Sequence, residues 1–106
     1  MSSIPNKIKI GHLTYDVLFV KDPTSDDDHP LYGQHRPTDQ KIVLSSDLKN
    51  KPERCKEILV HECMHALMDL YHQGPITEES VVDALAIGTT VLLADNKKLR
   101  EYLCSN

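Results

Sequence analysis

The chain has 106 residues, a formal net charge of −4 and a pI near 5.8, with 40% hydrophobic and 26% charged residues. That size holds one domain, residues 1–106, around one modest core. The acidic balance speaks against a nucleic-acid binder or a protein held on an anionic membrane surface, and no apolar stretch approaches the ~20 residues of a membrane span.

In chain order, the first half reads as strands. Lys7-Ile8-Lys9-Ile10 alternates, Gly11-His12 makes a tight turn, and Leu13, Tyr15, Val17 and Phe19 continue with period two. Leu18 and Val20 on the opposite face predict that the end of this second strand is covered on both sides. Residues 21–30, rich in Asp and Pro, read as a polar loop. A second hairpin follows, with strands over 31–36 and 41–45 and a turn at Pro37-Thr38-Asp39-Gln40.

The second half reads as helices. Asn50-Lys51-Pro52-Glu53 is a helix start with proline in the first turn, and Gly74-Pro75 stops that helix after about His72. It is apolar on most sides, which predicts the central buried helix. Thr77 caps a second helix running to about Asp95, with Gly88 marking close helix–helix approach, and a short third helix covers 97–103. The expected fold is α+β: a small antiparallel sheet of three to four strands packed on two long helices and a short C-terminal one.

His61-Glu62-Cys63-Met64-His65 is an HExxH sequence inside the first long helix. Residues four apart lie one above the other on one helix face, so both imidazoles can bind one ion. Glu62 sits about 100° round the helix, where it can take a proton from a metal-activated water without being a ligand. Zinc brings the pKa of such a water to about 7, and the hydroxide can attack a carbonyl. His₂-carboxylate ligation makes Zn²⁺ the leading metal.

A site of this type needs a third protein ligand. His72 lies about 10 Å past His65 along the helix axis, and Asp69 one turn past it reaches the metal only with strain. Glu78 and Glu79 open the returning helix. Glu79 is the expected third ligand, with Asp83 one turn later as a hydrogen-bonding partner for a ligating histidine; Glu78 is the next choice, and either acid would also suit a first helical turn for its own sake.

With these residues in place, the chain resembles the zincin-like metallopeptidases, and more closely the minimal ImmA/IrrE-type enzymes and their compact phage- or prophage-borne relatives. The resemblance rests on the HExxH helix and on Glu78-Glu79-Ser80-Val81-Val82-Asp83-Ala84-Leu85-Ala86, with Leu31-Tyr32-Gly33 as a weaker element. It implies a cytoplasmic zinc endopeptidase acting on a protein or peptide substrate, in known cases a repressor. His61, His65 and Glu79 would be ligands and Glu62 the catalytic base.

Other residues read more plainly. Cys63 points away from the His61 side and fits a buried structural thiol. The odd count of three cysteines, without a CxxC pair, fits reduced thiols and no disulfide framework. His12, His29 and His35 fit surface positions, and Asp26-Asp27-Asp28 a solvated turn. The strand over 31–36 is a candidate edge for pairing with an extended substrate, and Tyr32, Tyr71 or Tyr102 could supply a phenol to an oxyanion. The competing class is a non-catalytic metal-binding regulatory or interaction protein.

Overall fold

The computed structural model describes residues 3–23 and 32–105. Strands β1 (Lys7–Ile10) and β2 (Leu13–Val20) form the first hairpin. Gly11 turns it with φ +63°, and a side chain there would run into Leu70 of the first long helix. Strands β3 (Gly33–Arg36) and β4 (Lys41–Ser45) form the second, with His35 opposite Ile42. Leu31, the first residue of the expected third strand, lies outside the described residues, as do His29 and the run of aspartates at 26–28.

The sheet order is β1-β2-β4-β3, and β2 and β4 run parallel, with Val17 beside Ile42. The sheet is therefore mixed, not wholly antiparallel as the two-hairpin reading expected. Composition explains the placement. In β4 Ile42, Val43, Leu44 and Ser45 are all buried, the continuous pattern of a central strand. Gly33-Gln34-His35-Arg36 is polar and half-buried, which suits an edge. The chain leaving β2 thus lays down the polar strand at the far edge and returns through the centre.

A 3₁₀ turn over Ser46–Asn50, which buries Leu48, leads into α1 (Pro52–Tyr71). Proline at its start lacks only an N–H that no helical partner would take. A capping box of Thr77 and Ser80 opens α2 (Glu78–Asp95), and α3 (Lys97–Leu103) closes the fold. The α+β architecture, the two long helices and the short third one stand as the sequence predicts. No helix among the described residues is long and apolar enough to cross a membrane.

One core joins the sheet to all three helices. Ile8, Ile10, Tyr15, Val17, Ile42 and Leu44 from one sheet face meet Leu59, Cys63 and Leu67 of α1, Leu92 of α2, and Leu99 and Tyr102 of α3. Gly88 of α2 is required by this packing, since a Cβ there would stand 2.9 Å from Leu67 and 3.0 Å from Tyr71. Asn96, buried between α2 and α3, binds both Lys9 backbone groups, accepting from the N–H at 2.8 Å and donating to the carbonyl at 2.7 Å. It also donates to the Leu92 carbonyl.

Two burial expectations are corrected. Leu18 is 40% exposed, so the far face of β2 is not covered at that residue. Helix α1 is central but not buried all round. Its buried residues form one stripe, Cys55, Leu59, Glu62, Cys63, Ala66 and Leu67, while His61, His65 and Asp69 face solvent. A 106-residue chain has too little material to surround a twenty-residue helix.

Candidate functional site

An open cleft of about 550 Å³ separates the edge strand β3 from α1. Gly33, Gln34, His35 and Pro37 form one wall; His61, Glu62, His65 and Asp69 form the other. The helical repeat creates the second wall, because positions 61, 65 and 69 are successive turns of one face.

His61 and His65 present their Nε2 atoms to each other at 3.2 Å, with the rings edge-on and their centroids 4.9 Å apart. Two zinc–nitrogen bonds of 2.0–2.1 Å meeting near the tetrahedral angle place their nitrogens about 3.3 Å apart. The pair therefore fits joint ligation of one ion. Among the described residues, no group of three or more His, Cys, Asp and Glu side chains is gathered at metal-holding distances.

Glu62 is turned the other way and is buried at 6% exposure. Its Oε2 lies 4.0 Å from Nε2 of His61. The close passage of β3 buries it: a Cβ on Gly33 would stand 2.6 Å from Cγ2 of Ile58 and 3.3 Å from Oε2 of Glu62. Within the motif, then, the imidazoles are accessible and the carboxylate is sheltered at the foot of the cleft.

Opposite them, His35 Nε2 lies 3.0 Å from the buried Tyr15 hydroxyl, with the rings tilted at 45°. Burial, reinforced by the negative charge of Asp69, holds the Tyr15 phenol above its ordinary pKa, so it stays protonated. Burial lowers the His35 pKa; the Asp69 charge opposes that shift and His65 adds to it. His35 is accordingly a neutral imidazole at pH 7, held by a neutral phenol.

The structure brings together His61, Glu62 and His65. It does not bring Glu79 to them. Glu78 and Glu79 are exposed in the first turn of α2 and do not line the cleft, and Asp83 is exposed one turn on. The short turn makes α1 and α2 an antiparallel pair, so the start of α2 lies beside the end of α1. With Gly88 against Leu67 and Tyr71, Glu79 is displaced about 13 Å toward the turn. His72 pairs with Ser80 at 3.0 Å as part of that turn.

The tyrosines singled out from sequence serve elsewhere. Tyr32 is 52% exposed near Arg54, Tyr71 packs at Gly11 and Gly88, and Tyr102 is buried, with Lys56 over its ring. The phenol behind the cleft wall is Tyr15, which is buried and holds His35 without lining the cleft; its period-two position marks it only as core. His35, expected at the surface, is instead half-buried against Tyr15: one histidine in a short polar strand carries no spacing signal, and only its register with Ile42 places it opposite the motif. Cys63 is buried as expected, and burial pushes its thiol up to about 12, which excludes a thiolate role near neutral pH. All three cysteines are free.

No protein-family model, curated protein or solved structure matches the chain.

Proposed function

We propose that the chain is a zinc-dependent metallopeptidase that hydrolyses peptide bonds of a protein or peptide substrate, such as a repressor-type regulator, in the cytoplasm. One observation carries the reading: two exposed imidazole nitrogens 3.2 Å apart in an open cleft, with a sheltered carboxylate one residue along the same helix. His61 and His65 hold the ion. Glu79, the third ligand expected from sequence, stands outside the cleft, and His35 and Asp69 are the remaining donors that line it. When bound, zinc supplies Lewis acidity toward a water and a peptide carbonyl.

The chain's own groups do the rest. Glu62 is the general base, and its sheltered position keeps bulk water from competing for the proton it receives at a carboxylate oxygen. The edge of β3 pairs with an extended substrate and lays the peptide bond along the cleft. His35, fixed on Tyr15, offers hydrogen bonding from the wall facing the histidines.

Metal content by mass spectrometry, measured on protein purified without added metal and on His61→Ala, tests the reading. Near-stoichiometric zinc that disappears in the variant supports it. Absence of zinc in both, even after zinc is offered, defeats it in favour of a metal-free interaction protein.

A further inference from the structure

We infer that the outward face of α2 is a homodimer interface, in which α2 packs antiparallel against α2 of a second copy across a two-fold axis near Gly88. Between Asp83 and Asp95 no residue of α2 carries a charge. A surface helix ordinarily keeps its charged residues on the outer side. Here the outer side holds Val82 at 51% exposure, Ile87 at 58% and Leu93 at 37%, with Ala86, Thr90 and Ala94 exposed between them. Gly88 and Leu92 already occupy the inner side against the core.

The charges flanking this strip identify the occupant as a second copy. Glu78, Glu79 and Asp83 mark the N-terminal end; Lys97, Lys98 and Arg100 mark the C-terminal end. Arg100 is fixed there by donating to the carbonyls of Leu93 and Ala94. Two acids also stand near that end, Asp95 exposed in the last turn of α2 and Glu101 3.8 Å from Lys97, against the three exposed cations Lys97, Lys98 and Arg100. In an antiparallel pair centred on residue 88, position 82 meets 94 of the other copy and 86 meets 90, while the first turn of α2 with Glu79 lies toward the start of the other copy's α3 at Lys97, beyond the break at Asn96. Acidic ends then face basic ends twice over, and the small residues Ala86 and Thr90 meet beside the axis, where two backbones approach closest. A self-complementary patch of this kind is what a two-fold contact requires. A parallel pair would set acid against acid.

The strip from Val82 to Ala94 runs about 18 Å along one helix, a small contact, so association is concentration-dependent and weakened by salt. The inference is independent of the metal reading.

Sedimentation velocity of the full chain, over roughly ten to five hundred micromolar and at low and high salt, tests it. The wild type is expected to dimerise with concentration, more strongly at low salt. Ala86→Glu should weaken dimerisation at least about tenfold, by placing two carboxylates beside the axis. Glu79→Lys and Lys97→Glu should each weaken it roughly three- to tenfold, and the double swap should restore it. Circular dichroism establishes that each variant is folded, as expected for exposed positions. A chain monomeric at every concentration, or a dimer indifferent to these substitutions, overturns the inference.

Discussion

Gly33 of β3 rides directly over Glu62 of α1, with the site of its missing Cβ 3.2 Å from Cγ and 3.3 Å from Oε2 of the glutamate. The strand proposed to receive substrate and the residue proposed to take the proton are thus in van der Waals register. Any side chain at 33 must displace one or the other.

Gly33→Ala should therefore cost about 1–3 kcal/mol of stability as Ile58 and Glu62 are pushed aside. Chemical denaturation gives the loss. A stability equal to wild type would mean that the strand simply lifts from the helix.

Glu62→Gln removes the base and keeps the size of the side chain. Zinc content should be retained and peptide hydrolysis should fall by about 10²–10⁴-fold. Hydrolysis at the wild-type rate would defeat the mechanism while leaving metal binding intact.

The third donor is open to direct measurement. Because Glu79 lies outside the cleft, Glu79→Gln should leave zinc affinity nearly unchanged, whereas His35→Ala or Asp69→Asn should weaken it at least about tenfold at one of the two sites. Competition titration against a zinc chelator reads this. Loss confined to Glu79→Gln would show that the start of α2 moves to the histidines when metal binds.

His35 should titrate below the ordinary histidine value in the metal-free chain, because burial disfavours its cation. The unfolded chain then takes up a proton at a pH where the folded one does not. Stability from this group is present above about pH 6.5 and is lost as pH falls through the folded value. Imidazole NMR shifts followed with pH give the midpoint; a value above 6.5 would show that Asp69 outweighs burial.

Asn96→Ala should destabilise the fold by about 1–3 kcal/mol, since three hydrogen bonds from a buried amide tie α2, α3 and β1 together. Thermal or urea unfolding checks it.

The legible features were those with a short repeat. The i, i+4 spacing of His61 and His65 foretold a facing pair, Thr77 foretold a cap, and Gly88 foretold close helix contact. Strand order was not legible, because local alternation says nothing about which strand a crossing chain will pair with. The burial continuous through Ile42, Val43, Leu44 and Ser45 was the available clue that β4 belongs in the centre. Thr77 as a cap puts Glu79 in a first turn, where the structure has it, but helix phase does not report how far along its neighbour a returning helix begins. Tyr15 and His35, twenty residues apart, meet only through that strand order.

By occupying the amide and carbonyl of Lys9, Asn96 takes the pairing groups of one residue on the β1 margin of the sheet and so hinders strand addition there. That leaves the β3 margin, beside the histidines, as the edge proposed to receive a peptide. The same side-chain amide that fastens the C-terminal helices guards the chain against edge-to-edge polymerisation from its other side. Losing it would free a second template, so that self-assembly would compete with the proposed peptide capture.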